Sequence, residues 1–118
     1  MSPDLADRVE RAKARLDRLD LYPTPVRTGH VRVFVWPALF RLPWLRRFDG
    51  YAAWYSIFLR ATPRGEVDDD LITHELCHVW QMQHRPVAMP LSYLRGYETN
   101  RYEAEARRAV EATRTPSA

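Results

Sequence analysis

One predicted helix constrains this chain more than any other feature. Residues 68–86 read DDDLITHELCHVWQMQHRP, and within them His74-Glu75-Leu76-Cys77-His78 forms an H-E-x-x-H motif. On an α-helix, residues four apart lie one above the other on one face. His74 and His78 can therefore aim both imidazoles at one metal ion, about 2 Å from each nitrogen as zinc requires. Glu75 lies beside the first histidine, in reach of a metal-bound water whose proton it can accept. Histidine is scarce, 4 in 118 residues, and three of the four fall between positions 74 and 84. The helix expected around the motif covers about 70–84. Asp68, Asp69 and Asp70 are placed to cap it and to favour its positive end. Leu71, Ile72, Leu76, Val79, Trp80 and Met82 give it an apolar body, and Pro86 stops it. The bland counterpart is a helix with two buried, hydrogen-bonded histidines and no metal.

A chain of this length forms one domain, residues 1–118, with a single modest core. Its 46% hydrophobic and 28% charged content is ordinary for a soluble globular protein. No apolar run approaches the roughly 18 residues of a transmembrane helix. The N-terminal MSPDLADRVE lacks the basic start and apolar centre of a leader. With the single Cys77, this favours a reducing, cytoplasmic location. The net charge of +3 comes from 17 arginines and Lys13 set among 15 acids, scattered rather than clustered. No nucleic-acid partner is expected from that pattern.

In chain order, residues 3–20 predict an amphipathic helix. Ser2 caps it, Pro3 suits its first position, and Leu5, Val9, Ala12, Leu16 and Leu19 form one apolar stripe. Its stripe suits packing on the core better than a coiled coil, for which two heptads are short. Residues 30–36 alternate and are β-branched, which predicts a strand, and residues 51–60 predict a second. Between them, Trp36, Phe40, Trp44 and Phe48 recur every four residues among Arg41, Arg46 and Arg47. These rings read first as cover for a small core. The second reading is a hydrophobic lip beside a cleft, or a surface in peripheral contact with lipid. A final helix is expected over about 91–113.

A catalytic zinc site needs three protein ligands and one open position. His84 stands where a second pattern, H-E-x-x-H-x-x-G-x-x-H, would put its third histidine. If the helix runs unbroken to Pro86, however, His84 lies roughly 9 Å along the axis from His78 and about 120° round it. Gln81, in the glycine position, does nothing to break the helix. The other candidates lie in the last helix. Glu103 shares its face with Gly96, Asn100, Ala106 and Val110, a small, mostly uncharged stripe. Glu105 shares its face with Arg101, Arg108 and Ala109 and reads as solvated. Glu103 is the preferred third ligand, with His84 and Glu105 as alternatives. Cys77, rotated from the metal face, reads as packing.

His74-Glu75-x-x-His78 followed by a glutamate helix resembles the gluzincin branch of the zincin metallopeptidases. Glu103-x-x-Ala106 is similar to the E-x-x-A-D ligand motif of the CaaX-prenyl endopeptidases and their relatives, with Arg107 where that family has aspartate. The order of elements resembles the very short zincins of bacteria, over roughly residues 51–110. The resemblance implies a zincin-like α+β fold: an N-terminal helix, a small antiparallel or mixed sheet, a metal helix and a C-terminal glutamate helix. It implies Zn²⁺ on His74, His78 and Glu103, and peptide-bond hydrolysis through a metal-activated water with Glu75 as general base. The strand before the metal helix would pair with a peptide or protein substrate. Tyr93, Tyr97 and Tyr102 are the available oxyanion donors. The competing readings are a non-catalytic or self-inhibited zinc protein and an interaction module with an accidental motif.

Overall fold

The computed structural model describes residues 2–96 and 100–114. It is an α+β fold built around one central helix, α2 (Gly65–His84). Helix α1 (Pro3–Leu16) lies along α2 on one side, and α4 (Arg101–Thr113) packs on another. A mixed sheet of three strands covers a further face, in the order β1 (Arg32–Val35), β3 (Ser56–Leu59), β2 (Gly50–Ala53). β1 runs parallel to β3 and β2 antiparallel to it. Val33, Ile57 and Leu59 point inward from the sheet and join Ile72, Leu76, Val79 and Trp80 of α2 in the core. Being wrapped on several sides, α2 buries an almost continuous run, from Ile72 to Met82, His74 alone remaining part exposed.

Helix α1 begins as its sequence predicts, with Ser2 Oγ accepting the Leu5 N–H at 3.3 Å. It ends at Leu16 rather than near 20. The chain turns there so that Leu19 and Tyr22 fold back onto the core, Tyr22 meeting Trp80 edge-on at 5.3 Å between centroids. Helix α2 starts at Gly65, five residues before the expected position, where a φ of 67° swings the chain inward. Asp68 still serves the helix start, its carboxylate accepting the Arg64 N–H at 2.5 Å. Asp69 and Asp70 do different work from capping. Asp69 pairs with Arg8 at 2.7 Å and Asp70 with Arg15 at 2.8 Å, tying α1 to α2. Arg15 also donates to Val110 O and Thr113 Oγ1, so one guanidinium joins three helices.

The strand expected over 30–36 is confined to residues 32–35. The single strand expected over 51–60 is a hairpin. It reverses at Trp54-Tyr55, with Trp54 in the left-handed region at φ 52°. That conformation costs a non-glycine residue about 1–2 kcal/mol. The Trp54 N–H, 3.3 Å from Met82 Sδ, fixes the turn against α2. The division leaves β2 as an edge strand and β3 at the centre. Arg60 N–H bonds Asp49 O, which makes Tyr51–Phe58 and Ala53–Ser56 the hydrogen-bonded pairs of the ladder. Gly50 and Ala52 therefore direct their backbone groups away from β3, along the free edge.

The aromatic connection divides. Phe40 is buried, while Trp36 and Trp44 are 50% and 68% exposed, so core cover is the wrong reading for both tryptophans. Arg60 anchors this connection, donating to the carbonyls of Arg46 and Phe48 and lying over the Phe40 ring. The helix expected over 91–113 is also divided. A short α3 (Ala88–Ser92) and a 3₁₀ turn (Tyr93–Arg95) end at Gly96, whose φ of 116° no helix tolerates. Helix α4 starts afresh with Asn100, whose Oδ1 accepts the N–H groups of Tyr102 and Glu103 at 2.8 and 3.2 Å. Among the described residues no helix is long and apolar enough to cross a membrane.

At Gly50, β2 passes close to α2. A Cβ there would lie 3.2 Å from both Glu75 Cγ and Leu71 Cδ1. Gly50→Val is expected to destabilise the fold by about 1–3 kcal/mol, the usual cost of overpacking. Thermal unfolding with and without the substitution checks this.

Candidate metal centre

The chain brings His74, His78 and Glu103 together. The two histidines follow from the i,i+4 geometry of α2. Glu103 follows from the Asn100 cap, which sets it in the first turn of α4, facing α2. His74 Nε2 lies 2.6 Å from Glu103 Oε1, His78 Nε2 lies 3.0 Å from Oε2, and the two Nε2 atoms are 3.1 Å apart. All three groups offer a ligand atom within 4.8 Å of one another. Ligands of a tetrahedral ion with bonds of about 2 Å stand roughly 3.3 Å apart. The donor set and its spacing thus suit zinc after shifts of a few tenths of an ångström. Glu103 is 1% exposed and His74 retains a small exposed face, so the cluster is walled on the protein side and open on one side.

The protein fixes which nitrogen of His78 is available. Gln81 Nε2 donates to Tyr102 O at 2.8 Å and to Glu105 Oε1 at 3.1 Å. Both are acceptors, so the amide oxygen must face the other way, to His78 Nδ1 at 2.7 Å. His78 Nδ1 therefore carries the proton it donates to Gln81, and Nε2 is left to bind a cation. Glu105 is half-buried rather than solvated, because Tyr22 O–H donates to it at 2.7 Å from the far side. It belongs to the support behind His78 and not to the cluster. Gln81→Leu, which removes the partner of His78 Nδ1, is expected to weaken zinc binding by about 10–100-fold. A competition titration against a zinc chelator of known affinity measures it.

The remaining expected site residues fall in different places. Glu75 is 6% exposed, and its side chain lines the open space beside the cluster. Burial pushes its pKa up, partly opposed by the two histidines. Glu103 is the reverse: burial alone would raise it, but hydrogen bonds from His74 and His78 hold it well below the usual carboxylate range. Burial would likewise lower His78, yet its bond to Glu103 and the neighbouring carboxylate charges raise it. Tyr93 O–H donates to Glu103 Oε2 at 2.9 Å beside the cluster. Tyr102 points elsewhere, its hydroxyl bonded to Arg101 and its ring against Met82 and Met89. Tyr97 lies outside the described residues. His84 stacks on Tyr22 at 4.9 Å and bonds Thr24 Oγ1 at 3.0 Å, far round the helix from the cluster. Cys77 is fully buried in the core, and burial raises its pKa.

Two cavities meet over the cluster. One, about 380 Å³, runs past His78 and is walled by apolar groups including Trp44, Met82, Met89 and Tyr93. The other, about 620 Å³, opens past His74 and is lined by charged groups including Asp70, Arg107 and Arg114. Gly50, Glu75 and Glu103 line both, so edge strand β2 and the Glu75 side chain border a groove crossing the site. Comparisons with protein-family models, with curated proteins and with solved structures found no match for this chain.

Two supporting contacts of this site, Gln81 with His78 and Glu105 with Tyr22, do not follow from the helical pattern alone. In the sequence, Gln81 stands out only as compatible with the helix. Its spacing of three from His78 places the two side chains on one face and was the available signal. The contact of Glu105 with Tyr22 joins residues 83 apart in sequence, for which no local signal exists.

Proposed function

We propose that this chain is a zinc-dependent peptidase with a zincin-like fold, its metal held by His74, His78 and Glu103. The observation that carries this reading is Glu75. Its side chain is almost wholly buried, yet it lines the groove beside the three-ligand cluster, where burial disfavours its charge and a proton acceptor can meet water. Bound zinc would act as a Lewis acid on the scissile carbonyl and would acidify water. Glu75 accepts the proton of the attacking water and returns it to the leaving amine, a task suited to a carboxylate whose pKa burial has raised. The free edge of β2 pairs with an extended peptide through the outward backbone groups of Gly50 and Ala52. Of the described candidates, Tyr93, at the cluster, is better placed than Tyr102 to donate to a developing oxyanion.

The groove favours this reading over an inert or self-inhibited zinc site, which would fill the position beside the ligands. The N-terminal helix contributes no residue to the lining of either cavity, although its Arg15 pairs with Asp70 at the charged one. Digestion of a peptide library by the zinc-loaded protein, with Glu75→Gln alongside, tests the proposal. Cleavage by the wild type and none by the variant is the expected result.

A further inference from the structure

The sheet turns one face to α2 and the other outward. The register places Phe34, Phe58 and Tyr51 side by side across β1, β3 and β2 on the outward face. The Phe34 and Phe58 rings stack at 5.6 Å, and Trp36 leans on Phe58 at 6.1 Å. Phe34, Trp36 and Tyr51 remain 48%, 50% and 44% exposed, a cluster of rings too contiguous to be scattered surface residues.

The segment that carries these rings is strongly basic. Residues 26–60 contain six arginines (27, 32, 41, 46, 47 and 60) and one acid, Asp49, a net +5. The rest of the chain then carries 12 basic and 14 acidic residues, a net −2, so the whole positive balance belongs to this segment. Arg32 lies on the outward face of β1, two residues before Phe34, while Arg41 and Arg46 are exposed on the aromatic connection. Arginines surrounding part-exposed Trp, Tyr and Phe rings match the boundary of an anionic bilayer. There the rings sit at headgroup depth and the guanidinium groups meet phosphate.

We propose that this outward face docks on an anionic lipid surface. Exposed Leu42, on the same connection as Trp36 and Trp44, suits an acyl boundary better than a nucleic-acid strand, which would ask for stacking platforms without aliphatic neighbours. Tyr51 belongs both to this face and to the wall of the apolar cavity, and Trp44 and Arg47 stand at the same cavity. The docked protein therefore presents its groove close to the bilayer. The docking itself does not rest on the zinc reading.

Sedimentation with vesicles tests it, using phosphatidylcholine alone and phosphatidylcholine mixed with phosphatidylglycerol. The full chain is expected to pellet with the anionic vesicles and to stay in solution with the neutral ones. Two double variants are compared: Phe34→Ser with Trp36→Ser, and Arg41→Glu with Arg46→Glu. Each is expected to lose at least about tenfold in vesicle affinity, since each basic group near an anionic surface contributes a substantial share of binding. Melting temperature serves as the control for folding. Failure to pellet with anionic vesicles, or equal pelleting of both folded variants, overturns the proposal. So does a dimer in analytical ultracentrifugation that the Phe34→Ser, Trp36→Ser variant dissociates, because the face would then be a self-interface. Displacement of the vesicles by an oligonucleotide at low concentration would assign the face to nucleic acid instead.

Discussion

Glu75→Gln is expected to lower peptide hydrolysis by about 10²–10⁴-fold, the usual loss when a positioned general base is removed. Glutamine keeps the shape and helix preference of glutamate, so α2 persists. It also removes a charge that burial disfavours, so the folded state is expected to be as stable as the wild type or more so. Zinc content should not change, because Glu75 is not one of the three converging groups. The combination separates a base from a structural residue: activity falls while stability and metal hold. Rates on a cleaved library peptide, zinc content and a melting curve for both proteins are the measurements. Equal cleavage by the two would remove Glu75 from the chemistry. A wild type that holds zinc and cleaves nothing would favour the inert metal site.

Chelation is expected to lower the melting temperature on the order of 10 °C near neutral pH. A ligand present at a thousand times its dissociation constant stabilises the native state by about 4 kcal/mol. In a domain of this size each kcal/mol moves the midpoint by several degrees. The difference should also depend on pH, with a definite sign. In the metal-free chain the raised His78 pKa contributes stability that is complete below its ordinary 6.5 and lost as pH rises through the folded value. Glu103, held low, contributes stability above its ordinary 4.5 that is lost as pH falls through its depressed folded value. The metal-free cluster is thus best satisfied in mild acid, whereas zinc requires neutral histidines and binds better as pH rises. The gap between loaded and chelated midpoints should widen from pH 5 to pH 8. A gap that is constant, or that narrows, would argue that the metal is not held by this cluster.

The parts of this account that were legible in the sequence are those set by local periodicity. The i,i+4 spacing of His74 and His78 needs only a helix, and unbroken helix-forming residues from 79 to 84 carry His84 away from the cluster. The choice of Glu103 over Glu105 also came from a helical face, although Asn100 served there only as a member of a stripe. Its larger part, capping α4 and so aiming Glu103, was not drawn from the sequence. What was hidden depends on contacts between distant segments. The hairpin at Trp54-Tyr55 has none of the glycine, asparagine or aspartate that marks such turns, and a sulfur of α2 holds it in place. Asp69 and Asp70 suggested a helix start because their partners, Arg8 and Arg15, lie more than fifty residues away. Trp36 and Trp44 obey the same four-residue repeat as Phe40, and periodicity alone cannot tell an inward ring from an outward one.

The central claim is a zinc ion held by His74, His78 and Glu103. Elemental analysis of protein purified without added metal tests it most directly, on the wild type, His74→Ala, Glu103→Ala and His84→Ala. One zinc per chain is expected in the wild type and in His84→Ala, and little or none in His74→Ala and Glu103→Ala. Zinc retained in full by His74→Ala, or lost from His84→Ala, would contradict it.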